Sequence, residues 1–348
     1  MISNYKIKII YLLLIITSSL LYNCVGYLGH LALGQTQIIL NRQRISDLLK
    51  SESDSLIRKK VELIPGAKQF AVENLALNPN GGYEYFTKLD RDEVGWHVTA
   101  SYPLKFDSYT WWFPIVGSVP YKGYFDLEKA KEEEKSLIEM GLDTRVRITA
   151  GYSTLGWFSD PLLSPQLKLR DDELIALVFH EMAHATIYFN GDSKFNESYA
   201  SFVEDLGTEM YYKSMNSEES LSILDKRIKA KQERKIIFKT VKLYGEKLKE
   251  LYDSSKTDEE KLVNKNIIIE DFRKDIIEKS NQFKIIDTRN FKNAKINNET
   301  FLSVLRYNSG EEFFNALFQK SNKNINVFQN EVMKLKSLSK EERQNLLK

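Results

Sequence analysis

Apolar residues recur at helical spacing through "GYLGHLALGQTQIILNRQRISDLL", which begins at Gly26, and again through "SLIRKKVELIPGAKQFAVENLAL", so helical stretches open the body of the chain. Between Asn78 and Phe125 the texture changes. "GGYEYFTKLD", "GWHVTASYPL" and "YTWWFPIVGSVPYKGYF" are aromatic and β-branched runs broken by Gly and Pro, the pattern of strands or hairpins. "DLEKAKEEEKSLIEMG" predicts an amphipathic helix stopped by Gly141, and "TRVRITAGYSTLGWF" predicts a return to strand. "SDPLLSPQLKLRDDE" reads as a loop leading into another helix. From about Ser217 to Asn281 the chain is rich in Lys and Glu, with little Gly and no Pro, which predicts two long helices turning near "YDSSKTDEE". Further helices are expected from Phe301 to Lys348, and no internal repeat is seen. The pattern as a whole predicts an α+β fold, predominantly helical, with a small N-terminal β-rich region, a helical hairpin and long C-terminal helices.

Composition adds little to this picture and removes one class from it. The 348 residues are 42% hydrophobic and 28% charged, with a net charge of +2, so the chain is globular in composition and offers no global electrostatic reason to bind nucleic acid. The first 24 residues stand apart. Lys6 and Lys8 precede an apolar run from Ile9 to Leu21, the architecture of an export signal. That run is shorter than the roughly 20 residues of a membrane-spanning helix, although an uncleaved anchor is a second way to read it. It ends in "LLYNC" at Cys24, the single cysteine of the chain, which has no partner for an internal disulfide. Its position suggests lipid attachment, and hence export to the cell envelope with a membrane partner through the anchor; a buried thiol near a signal peptide is the blander alternative. Asn23 departs from the small residue commonest before such a cysteine. The domain division expected is residues 1–24 as signal and lipid-attachment segment, 25–213 as catalytic region, 214–290 as a charged helical hairpin and 291–348 as a C-terminal helical region. The charge over "DKRIKAKQERKIIFKTVKL" reads as solvated helix faces, with anionic lipid as the other candidate environment.

The chemistry concentrates in "FHEMAHATIYFNGDSKFNESYASFVEDLG", Phe179 to Gly207. Asp171 and Asp172 open the helix that carries it, where acidic side chains suit the exposed N–H groups and the dipole. Two of the chain's four histidines, His180 and His184, lie four residues apart on one helix face, so both imidazoles can reach one ion. Glu181 is rotated by about 100° from the first, the position of a general base beside the metal. HExxH on a helix reads as two zinc ligands plus that base. A hydrolytic zinc site needs a third protein ligand, and Glu197 and Glu204 compete for the role. With the first helix ending near Phe189, a stop at Asn190-Gly191 and a restart at Ser193, His184 and Glu197 lie at matching depth of an antiparallel hairpin. Glu204 falls about 10 Å further along. Glu197 is therefore the expected ligand. Glu204, two turns on, either orients a ligand histidine from behind or is an exposed helix carboxylate. His30 and His97 read as packing residues rather than ligands. "GYSTLGWF", Gly151 to Phe158, is a candidate edge strand for an extended peptide or a buried core strand.

"HEMAH" followed by Asn196, Glu197 and Ala200 in "NESYASFVEDLG" resembles the gluzincin metallopeptidases, in which a helix bearing the glutamate ligand follows the HExxH helix. With "VPYKGYFD", "TAGYSTLGWFSDPLLS" and "INNETFLSVLRYN", the chain is similar to a bacterial family of predicted, lipid-anchored aminopeptidases, from Gly26 to about Phe318. The segment between motif and glutamate is shorter than in the thermolysin and alanyl-aminopeptidase branches, and no Gly-x-Met-Glu-Asn strand for a substrate's free amine is found. The resemblance implies a zinc-dependent peptidase with one Zn2+ per chain, acting on a peptide or protein substrate. An oxyanion stabiliser is then required, for which Tyr307 and Tyr152 are candidates by residue type, as are Asn297 and Asn298. An envelope endopeptidase, or a non-catalytic binding or scaffold protein with a structural metal site, are the alternatives.

Overall fold

The computed structural model describes residues 26–27, 29–113, 117–149, 159–307 and 310–347. Its fold is predominantly helical α+β with small open sheets, as the hydrophobic pattern predicts. Helix α1 covers residues 29–40. The first helical stretch is then interrupted by β1 (Arg42–Arg44), which pairs antiparallel with β2 (Tyr85–Thr87) before α2 (Ile45–Ser51) resumes it. Three residues with no apolar side chain carry no helical stripe, so pairing with β2 decides their conformation. The second stretch is divided into α3 (Ser55–Val61) and α4 (Leu63–Leu75), and Asp54 caps α3 by accepting from the N–H groups of Leu56 and Ile57.

The central sheet has the order β6-β3-β7: β3 (Gly95–Ser101) lies between β6 (Lys122–Tyr124) and β7 (Asp143–Thr149), both antiparallel to it. A separate hairpin is formed by β4 (Trp111–Phe113) and β5 (Gly117–Val119). Period-two alternation splits the central sheet into two faces. Trp96, Val98 and Ala100, with Val146 opposite Val98, pack on Ala130 and Leu137 of α5 (Leu127–Glu139). His97, Thr99 and Ser101 point the other way, with Arg147 opposite His97 and Arg145 opposite Thr99. Arg145 donates to Ser303 of α10 (Asn298–Tyr307), which covers part of that second face. The rest of the face is left open. The short β8 (Leu162–Leu163) joins β2 in parallel and leads toward α6 (Asp171–Thr186).

The main core lies between α4, α6 and α7 (Ser193–Met215). Ile64, Ala67, Ala71 and Leu75 form one stripe of α4, and all are fully buried against Val178, Phe179 and Met182 of α6 and Tyr199, Ala200 and Val203 of α7. The approach is close because residue 207 is glycine. A Cβ there would come within 2.5 Å of Leu75 and 3.0 Å of Phe179. The two long helices expected from the charge pattern are α8 (Glu218–Asp253) and α9 (Asp258–Ser280), capped by Ser217 and Thr257. They carry a second core of their own, in which Val241, Tyr244 and Leu248 meet Ile269, Phe272, Ile276 and Phe301 of α10. Three short helices, α11 (Glu311–Lys320), α12 (Ile325–Lys334) and α13 (Lys340–Leu346), close the chain. Phe314, Phe318 and Phe328 from the first two gather around Phe202 of α7. Among the described residues no helix is long and apolar enough to cross a membrane.

Candidate active site

Helix α6 carries "HEMAH" with an acidic first turn, and its entry is fixed by Glu173, whose carboxylate accepts from the Arg170 N–H at 3.1 Å. The helix ends at Thr186, three residues earlier than the sequence suggests. The Thr186 hydroxyl donates to the Met182 carbonyl at 2.6 Å, Ile187 turns extended, and Ile187 and Phe189 are driven into the core. Burying an irregular segment requires its backbone groups to be satisfied. Asn196 does this for Phe189: its Oδ1 accepts from the Phe189 N–H at 2.9 Å and its Nδ2 donates to the Phe189 carbonyl at 2.8 Å. The start of α7 at Ser193 is held by Asp192, fully buried in an ion pair with Arg343 at 2.9 Å. These contacts set the register of the hairpin, and with it the depth of residue 197.

The hairpin brings His180, His184 and Glu197 together. The two Nε2 atoms are 3.2 Å apart, and Glu197 Oε2 is 3.5 Å from His180 Nε2 and 3.8 Å from His184 Nε2. Ligands about 2.0–2.1 Å from a tetrahedral zinc lie about 3.3 Å from one another, so the three donors fit such an ion in type and spacing. Glu204 lies behind the cluster. Its carboxylate, which can only accept, takes a hydrogen bond from His180 Nδ1 at 3.0 Å and thereby leaves the Nε2 lone pair directed at the donor cluster. His184 Nδ1 is buried with no partner among the described residues. Burial alone would raise the Glu197 carboxyl, but hydrogen bonds to His180 and His184 outweigh it and hold the group well below the carboxylate range. Burial likewise lowers His180, and Glu197 and Glu204 together draw it well above the usual imidazole range.

Glu181 is buried beside the donors and takes no part in their cluster. Burial pushes its carboxyl up, against the two histidines that pull it down. Behind it stands Tyr83, whose own hydroxyl is raised by burial and by Glu181 and Asp160. Tyr83 sits in the left-handed region at φ 60°, held there by its N–H, which donates to the Asp160 carbonyl at 2.6 Å. A non-glycine residue in that region costs of order 1 kcal/mol or more.

The donors open onto a cleft of about 1270 Å3. This exceeds the roughly 300–1,000 Å3 of small-molecule pockets, so several residues of a chain can enter. One wall is the open face of the central sheet, with His97, Arg147 and Thr149; a second is α8, with Lys226, Arg227 and Arg234. Tyr188, on the link between the two site helices, also lines it. His97 is not among the donors, in keeping with its reading as a packing residue rather than a ligand. Its ring stacks on Tyr121 at 4.6 Å and 19°, yet it faces the cleft with the donors, and burial followed by Arg147 pushes it down to about 4. The alternation of His97, Thr99 and Ser101 against Trp96, Val98 and Ala100 is the signal by which the polar face could have been found. Lys226 and Arg234 are solvent-exposed, as the reading of solvated helix faces expects, while Arg227 is half-buried in ion pairs.

The other candidates lie elsewhere. Asn297 donates to the Thr144 carbonyl at 3.0 Å, and Asn298 donates to the Tyr102 carbonyl at 2.8 Å while accepting from Tyr252, so both amides are occupied in packing β7 and its neighbours. His30 accepts from the Phe125 N–H at 3.1 Å, a packing role. Cys24, Tyr152, the strand candidate 151–158 and the Tyr307 side chain lie outside the described residues.

Two imidazoles and a carboxylate that meet in an open cleft, with a buried carboxyl beside them, form a group that could hold a metal ion. The chain matches, over residues 26–347, the model of the family described as putative aminopeptidase, and it belongs to that family. Membership supports a peptidase-type function. No curated protein and no solved structure is significantly similar to the chain.

Proposed function

We propose that the protein is a zinc-dependent peptidase of the gluzincin type, an aminopeptidase by family, exported and tethered by a lipid on Cys24. The observation that carries the reading is the meeting of His180, His184 and Glu197, whose donor atoms all lie within 4.8 Å of one another, beside the buried Glu181. These three residues would hold zinc, which when bound supplies a Lewis acid that polarises the peptide carbonyl and acidifies water. Glu181 accepts a proton from the attacking water as its oxygen bonds to the carbonyl carbon. The same carboxyl then gives that proton to the amine nitrogen as the C–N bond breaks. As the carbonyl oxygen gains charge it needs a donor, and His97 and Tyr188 are two of the uncharged donors that line the cleft. Glu204 orients His180 through its Nδ1–H.

The test is elemental metal content together with mass spectrometry of a peptide pool. Wild type is expected to carry about one zinc per chain and to cleave peptides. Glu181→Gln should keep the zinc and lose hydrolysis, whereas Glu197→Ala should lose the zinc. An active Glu181→Gln enzyme, or a zinc-free wild type after zinc is added back, overturns the reading.

A further inference from the structure

The carboxylates that line the cleft are almost all spoken for. Beyond Glu181 and the ligand Glu197, Asp171 pairs with Lys60 at 2.6 Å, and Glu173 pairs with Arg170 at 3.0 Å. Asp172 is shared between Arg170 at 3.0 Å and Arg227 at 3.2 Å. Asp205 pairs with Lys231 at 2.8 Å, and Glu204 is held by His180. Among the described residues, a cation entering this part of the cleft finds no anion without a partner. An anion does find partners. Lys226 and Arg234 line the same cleft, are exposed to solvent, and make no ion pair among the described residues. Arg147 adds a third positive charge on the facing sheet.

The two cations sit at i and i+8 of α8, so about 12 Å separates them along the helix at 1.5 Å per residue. An extended peptide covers that distance in about four residues at 3.2–3.4 Å each. Residues i and i+4 of such a peptide project to the same side. We propose that the cleft selects acidic peptides, in which carboxylate side chains about four residues apart meet Lys226 and Arg234 on the α8 wall. The inference rests on the peptidase reading for the nature of the ligand and adds to it the class of substrate.

Binding is measured by fluorescence anisotropy on zinc-loaded Glu181→Gln protein, so that the probe is not consumed. The probes are three labelled peptides of one length that carry Glu, Gln or Lys at the two positions. The Glu peptide is expected to bind best, to weaken as salt rises, and to lose about tenfold in affinity in Lys226→Ala/Arg234→Ala. The same charge change made outside the cleft, Lys242→Ala/Lys249→Ala, should leave it unchanged. Equal affinity for the Glu and Gln peptides, or equal losses in the two double variants, overturns the proposal. Wild-type cleavage of the same peptides is scored separately. Tight, α8-dependent binding without cleavage would sink the peptidase reading alone. Cleavage of all three at equal kcat/KM, with equal binding, would sink the acidic-substrate proposal alone.

Discussion

Glu204 holds His180 by a hydrogen bond of 3.0 Å between its carboxylate and Nδ1–H. Such charge-assisted bonds contribute about 1.5–3 kcal/mol. The Glu204 side chain is 30% exposed, which screens the interaction and favours the lower part of that range. At 1.4 kcal/mol per tenfold, Glu204→Ala should weaken zinc binding about 10- to 30-fold, within the roughly 10- to 100-fold effect of removing groups that orient metal ligands. Glu204→Gln keeps an acceptor oxygen but not the charge, so its loss should be smaller. The fold should survive, because Arg227, which lies 4.0 Å from Glu204, keeps Asp172 at 3.2 Å and Asp205 at 3.9 Å. The assay is competition for zinc against a chromophoric chelator, with the melting temperature of the metal-free protein as the check on folding. Unchanged affinity in Glu204→Ala would refute the orienting role. A loss as complete as that of Glu197→Ala would refute it in the other direction, by making Glu204 a ligand.

Two further outcomes are expected. His97→Ala should lower kcat by about 10²- to 10³-fold, as loss of one oxyanion donor does, with zinc content unchanged and partial rescue in His97→Gln; an unaltered kcat would assign the oxyanion to another donor such as Tyr188. Glu299, fully buried on α10, is raised by burial from 4.5 to about 7, against the pull of Arg306. The folded protein therefore holds a proton that the unfolded chain releases, and the stability this contributes is present below about pH 4.5 and lost as pH rises toward 7. The loss is on the order of 3 kcal/mol at most by 1.36 kcal/mol per pKa unit, and urea unfolding at pH 5 and pH 8 should show it in wild type and not in Glu299→Gln. An equal pH dependence in the variant would place its source elsewhere.

What the sequence made legible is what local spacing determines. A four-residue interval places His180 and His184 on one face whatever the rest of the chain does, and equal distances from a turn place Glu197 beside them. The three-residue difference in the end of α6 leaves Glu197 in place because the depth of residue 197 depends on where α7 starts, at Ser193, more than on where α6 stops. What the sequence did not make legible comes from distant segments meeting. His97 carries no motif, and only the sheet order β6-β3-β7 and the position of α10 leave its face open toward the donors. The cations of α8 look the same in the sequence whether they face water, lipid or a cleft. Their assignment depends on the docking of α8, which no periodicity encodes.

Arg227 explains why that docking places a charged wall on the cleft. It lies within 4.0 Å of Asp172 at the start of α6 and of Glu204 and Asp205 on α7, so one guanidinium pins α8 to both helices of the hairpin. Lys226 precedes it and Arg234 follows two turns later on the same helix, so the pairs of Arg227 set where the backbone of both cations stands relative to the cleft. The ion pairs that neutralise the acidic start of α6 thus also fix the distance between the donor cluster and the unpartnered cations.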